Sequence, residues 1–327
     1  MKRISDWIEK EFRIANGIAV AITIVFLTLT LYSEDDKNIK TSESQKSEEN
    51  SIKESEKKGE EKKVSTAEKV FFCAKGYKGP AFLGWCKDGN YYGPVHMGNI
   101  GYVKTDNFYG LVQTGVVAVA EDKFYGGMQL SLLSISDNFY GFGQFGGLAS
   151  VSMKKFYGLM QIGGLLSGSD NFNGLVSLSG AVSWSDNFNG FVSLSGVISG
   201  NDRFRGGFQI SLFSMSGFNF LGPFLSTEKQ EKFLKDKKTH GFYGGFQIGV
   251  LVSGASTFKG VSQIGAYNVS LQHYGGQIGI VNRSKVVRGV QIGVVNYTEK
   301  LYGLQLGLVN IAQNGFLPYT TILNIGW

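Results

Sequence analysis

Apolar and polar residues alternate along most of this chain, and they do so in near-identical copies. The segment 170–185 reads DNFNGLVSLSGAVSWS and its neighbour 186–201 reads DNFNGFVSLSGVISGN. Later copies read FYGGFQIGVLVSG (242–254), FKGVSQIGAYN (258–268), YGGQIGIVN (274–282), RGVQIGVVN (288–296) and YGLQLGLVN (302–310). Each copy has one central polar residue: His96, Gln113, Gln129, Gln144, Gln161, Ser177, Ser193, Gln209, Gln247, Gln263, Gln277, Gln291 and Gln305. The anchors are spaced by 17, 16, 15, 17, 16, 16, 16, 38, 16, 14, 14 and 14 residues. Within a copy the period is two, the signature of a strand. In 172–184 one face carries Phe172, Gly174, Val176, Leu178, Gly180, Val182 and Trp184, and the other Asn173, Leu175, Ser177, Ser179, Ala181 and Ser183. In 242–254, Phe242, Gly244, Phe246, Ile248, Val250 and Val252 oppose Tyr243, Gly245, Gln247, Gly249, Leu251 and Ser253.

The alternation predicts an all-β fold. Runs of about 10 residues, apolar on one face and small or polar on the other, match tilted membrane-crossing strands. Asx-rich steps such as Ser169-Asp170-Asn171 and Ser185-Asp186-Asn187 suit tight hairpins. The expected architecture is therefore a repetitive antiparallel up-and-down β-barrel of about 14–16 strands, closed so that no sheet edge is exposed. In it, Phe108, Phe124, Phe139, Phe156, Phe172, Phe188, Phe204, Phe242 and Phe258 form aromatic belts, and the Gln and Ser anchors line the lumen. A β-solenoid is the alternative, since 14–16-residue periods also suit stacked coils. Only one reliable turn per copy argues against it; extra corners at Gly163-Gly164 and Gly180 would argue for it.

The chain closes on YTTILNIGW, with Tyr319, Leu323, Ile325 and Trp327 at alternating positions. This resembles the terminal strand signal of bacterial outer-membrane barrels. The late copies resemble a family of bacterial surface-repeat proteins, known especially from spirochaetes, built on Gly-Leu-Gln-x-Gly-Leu-x-Asn units. Gly303 to Asn310 matches in full and Gly289 to Asn296 nearly so, while from Gly93 onward the match is looser. The resemblance implies surface exposure and no established activity.

Upstream, residues 14–32 hold 19 uncharged positions, preceded by Lys2, Arg3, Lys10 and Arg13 and followed by Glu34, Asp35 and Asp36. Residues 1–33 are therefore expected to form an apolar helix, either a cleaved signal peptide or a retained anchor, with the remainder exported. Residues 34–69 carry 11 acids and 9 bases among 36 positions, with only three bulky apolar side chains, and are expected to be a disordered linker. Residues 70–327 form the β-repeat domain, interrupted by a charged loop at about 214–241.

Composition narrows the function. The +6 net charge has its basic clusters mixed with acids, which gives no case for nucleic acid. Cys73 and Cys86 suit a disulfide-closed loop in an exported protein. No phosphate loop, catalytic triad or metal-ligand spacing is present, so no cofactor, metal or catalysis is expected. The expectation is an outer-membrane or surface-exposed protein of structural, pore-like or adhesive role, in contact with membrane lipid and with host or neighbouring surface molecules. The alternatives are a solenoid adhesin tethered to the inner membrane and facing the periplasm and, remotely, a membrane enzyme.

Overall fold

The computed structural model describes residues 85–87, 89–97, 102–217 and 240–327. The expected amino-terminal helix, the linker and Cys73 lie outside these residues, so the helix and the disulfide are not addressed by the structure. Among the described residues every element is a strand: β1 Trp85–Lys87, β2 Asn90–Tyr92, β3 Val95–Met97, β4 Tyr102–Tyr157, β5 Met160–Gly163, β6 Leu166–Asn173 and β7 Val176–Ser179. They continue with β8 Val182–Asn189, β9 Val192–Ser195, β10 Ile198–Ser216, β11 Gly241–Ile264, β12 Tyr267–Ala312 and β13 Tyr319–Gly326.

The strands pair in parallel, each residue with its equivalent one copy along. Phe156 faces Phe172, Phe172 faces Phe188, Ser177 faces Ser193, and Gln263 faces Gln277. Every copy is therefore one coil of a β-solenoid, stacked on the copy before it. The antiparallel barrel is overturned. A meander would pair neighbouring copies head to tail, whereas among the described residues antiparallel pairing is confined to β1 with β2, β13 with β12 and a single bridge between Gly315 and Gly326. Across the 38-residue gap the register is kept, with Phe204 facing Phe242 and Gln209 facing Gln247. The described strands resume this register with β10 ending at Ser216 and β11 beginning at Gly241.

Glycine makes the extra corners. The chain bends at Gly158-Leu159 and Gly164-Leu165, and again at the equivalent pairs one and two coils on. A third change of direction falls near the Asp-Asn step, where pairing shifts register between Ser152 and Lys155. The corners stack closely: a Cβ on Gly174 would lie 2.6 Å from the Gly158 carbonyl oxygen, and one on Gly180 2.0 Å from that of Gly164. A side chain at the first corner would push the coils apart, and that column is glycine from Gly110 to Gly303, whereas the second corner carries Leu132 and Leu212 in two coils.

Each corner also resets the alternation. In a straight strand Phe172 and Ser177, five apart, would point to opposite faces. The bend at Gly174-Leu175 turns both inward, and both are buried. The Phe residues assigned to aromatic belts are consequently core residues, each at most 1 % exposed. They stack face to face from Tyr91 through Phe258 to His273, with ring centroids 4.6–5.4 Å apart, close to the spacing of paired strands.

Candidate functional site: an apolar outer side and its tyrosine–cation rim

Beside the phenylalanine column, and apart from small apolar groups such as Val287, Leu301 and Ala312, the interior is largely polar. Gln113, Gln129, Gln144, Gln161, Gln209, Gln247, Gln263, Gln277, Gln291 and Gln305 are buried, as are Ser177 and Ser193. Where the coil below also carries glutamine, the amide donates to its amide oxygen: Gln129 to Gln113 at 3.0 Å, Gln277 to Gln263 at 2.9 Å, Gln305 to Gln291 at 2.8 Å. Side chains also reach across the coil to backbone carbonyls, as Gln161 does to Ser150 and Gly168. Where serine replaces glutamine the column continues as a hydroxyl chain, Ser177 to Ser183 to Ser193 to Ser199. In the last coils Asn268, Asn282, Asn296 and Asn310 form a second amide ladder at 2.8 Å. The line of anchors expected to face a barrel lumen is therefore a filled column, because hydrogen-bonded amides stacked at strand spacing leave no channel.

Apolar side chains go outward in consequence. Between the two glycine corners each coil presents one outer side, and along the stack that side carries Leu111, Phe142, Leu159, Leu175, Phe191, Val250, Val261, Ile280, Val294 and Leu308, all exposed. No charged residue occurs among the described residues of that side, which in successive coils spans 111–116, 127–132, 142–147, 159–164, 175–180, 191–196, 207–212, 245–250, 261–266, 276–280, 290–294 and 304–308. Near its end, Gly265, Gly279 and Gly293 floor a shallow trough of about 600 Å³ between Ile264, Ile278 and Ile292 on one ridge and Ala266, Ile280 and Val294 on the other. Exposed apolar side chains thus recur along this side from Leu111 to Leu308, and contiguous apolar surface of this kind marks an interaction site.

One edge of this side is a ladder that sequence reasoning missed. Tyr92, Tyr109, Tyr125, Tyr140 and Tyr157 stack with centroids 4.9–5.5 Å apart. Further along, cations enter the stripe. The Lys259 ammonium lies 5.9 Å from the Tyr243 ring and 5.2 Å from Tyr274, and Arg288 lies 5.3 Å and 5.4 Å from Tyr274 and Tyr302. The available signal was the residue directly after each copy's Phe equivalent, which is Tyr, Asn, Lys or Arg throughout. The Asp-Asn corner makes a separate, acidic column. There Asp137 pairs with Lys154 at 2.6 Å, and the Asp170 carboxyl is pushed above its ordinary pKa by desolvation and then by Asp186.

Of the expected terminal strand signal, Tyr319, Leu323 and Ile325 lie in β13 and Trp327 directly follows it. Tyr319, Leu323, Ile325 and Trp327 are all outward and exposed, and β13 pairs with the last coil alone. It caps the stack instead of closing a barrel. Ile322 on this strand has a φ of 69°, a costly conformation for a β-branched residue, and its side chain is exposed. Ile322→Gly is expected to stabilise the fold by about 1 kcal/mol, read as a higher urea midpoint at unchanged slope.

No family model, curated protein or solved structure matches this chain.

Proposed function

We propose that this protein is a non-catalytic β-solenoid displayed in a bacterial cell envelope, and that its apolar outer side adheres to another surface. The observation that supports this most directly is the inversion of the coil: amides and hydroxyls are spent on the interior, and uncharged Leu, Ile, Val and Phe are left outside. A solvated rod would gain nothing from that arrangement, since exposed apolar area is stabilising only when something covers it. The resemblance to surface-repeat proteins, the apolar segment 14–32 and the charged stretch 34–69 agree with export and tethering.

The test is to express residues 70–327 alone in buffer, with and without detergent. Because the interior is hydrogen-bonded by the coils themselves, β-structure is expected without detergent, together with self-association that micelles reverse. Val250→Lys, Ile280→Lys and Val294→Lys together are expected to yield a dispersed protein with an unchanged circular-dichroism spectrum. A wild-type domain that is monomeric and binds no detergent overturns the proposal.

A further inference from the structure

The charge distribution suggests which surface. Across 102–217 there are six cations (Lys104, Lys123, Lys154, Lys155, Arg203, Arg205) and seven acids (Asp106, Glu121, Asp122, Asp137, Asp170, Asp186, Asp202), a net of −1. Across 240–327 there are five cations (Lys259, Arg283, Lys285, Arg288, Lys300) and one acid (Glu299), a net of +4. Lys259 and Arg288 make no ion pair among the described residues and rest between tyrosine rings at the border of the uncharged side. Apolar surface edged by Tyr, Lys and Arg is the composition of an interfacial membrane contact, with rings at headgroup depth and cations at the phosphates.

We propose that the carboxy-terminal coils seat their apolar outer side on an anionic phospholipid bilayer, with Tyr243, Lys259, Tyr274, Arg288 and Tyr302 at the lipid phosphates. This rests on the reading that the apolar side is a docking side, and names what it docks to. A second copy offers an equally apolar face but the same positive rim, whereas an anionic bilayer offers hydrocarbon beneath a negative skin. The contact lies on the membrane and does not cross it. β13 is the last strand of the sheet, and its outer edge carries backbone groups that hydrocarbon could not satisfy.

The experiment is flotation of the full chain with vesicles of phosphatidylcholine alone or with about one third phosphatidylglycerol, for wild type, Lys259→Glu/Arg288→Glu, and Ile280→Ser/Val294→Ser. The apolar segment 14–32 is common to all three and sets a shared baseline. Wild type is expected to prefer anionic vesicles at least tenfold, since each basic residue at such a surface contributes about fivefold. The charge-reversed protein is expected to lose that preference, and the serine variant to bind both vesicles less. Equal binding of wild type to both vesicles, or an unchanged preference after charge reversal, overturns the proposal. If vesicles fail while wild type forms dimers that the serine variant does not, the docking side stands and lipid is the wrong occupant. If neither vesicles nor self-association depends on Ile280 and Val294, both readings fall.

Discussion

Gly289→Ala is expected to cost about 3 kcal/mol or more and to remove cooperative unfolding from the last coils. Two effects combine there. Gly289 has a φ of +145°, which an L side chain rarely adopts, and a Cβ would sit 2.1 Å from the Gly275 carbonyl oxygen and 2.9 Å from its carbon. Gly289 in turn lies beneath Gly303, whose own Cβ would be 2.0 Å from the Gly289 oxygen. Backbone cannot rotate aside as a flexible side chain does, so the coils must separate and hydrogen bonds on both sides of the corner lengthen. Gly200→Ala is the internal control. No atom lies within 4 Å of where its methyl group would sit and its φ is ordinary, so its effect is expected within about 0.5 kcal/mol of zero. Thermal and urea unfolding of the two variants against wild type checks both. Equal stability of all three would mean that the glycine column does not hold the coils together.

Acid is expected to destabilise the solenoid between pH 6.5 and 4. His96 and His273 are both fully buried, and burial lowers each imidazole from 6.5 to about 4. The folded protein thus binds fewer protons than the unfolded chain in that interval. The stability contributed by a neutral, buried imidazole is complete above pH 6.5 and is lost as pH falls toward 4. A shift of this size corresponds to about 3 kcal/mol for each histidine. His273 continues the phenylalanine column, with its ring 4.6 Å from Phe258 and nearly parallel to it, so phenylalanine suits the position. His273→Phe is expected to remove roughly half of the acid loss and to leave stability at pH 8 equal or higher. Urea midpoints measured at pH 8, 6 and 4.5 for wild type and the variant decide this. A pH-independent midpoint in the wild type would show that neither histidine is held neutral.

How much of this was legible in the sequence depends on the residue. Gln113 to Gln305 were readable as one polar face, and the structure gathers them on one line. Phe172 was not readable as core. Simple alternation puts it with Val176 and Leu178, and only the bend at Gly174-Leu175 brings it inward beside Ser177. The steps Asp170-Asn171 and Asp186-Asn187 look like hairpin turns because Asx residues favour reversals, yet here they turn a coil corner and the chain continues in the same sense. The Tyr–Lys–Arg rim was hidden for another reason. Its members are 14–16 residues apart and of mixed chemistry, and they become neighbours only when coils stack in register.

The sequence by itself determined that the chain is a β-repeat, where each copy begins and ends, and which residues share a face within a short strand, because side-chain alternation along extended backbone has a fixed period. It did not determine whether neighbouring copies run parallel or antiparallel, since both satisfy the same alternation and bury the same anchors. The tertiary structure decided that through the glycine corners. Gly158, Gly174 and Gly190 stack so closely that a Cβ on Gly174 or Gly190 would lie 2.6 Å or 2.8 Å from the carbonyl oxygen beneath, and at these bends each copy turns back as a coil. Once it does, phenylalanines and stacked amides fill the inside, and the apolar residues that flank the amides are left on the surface.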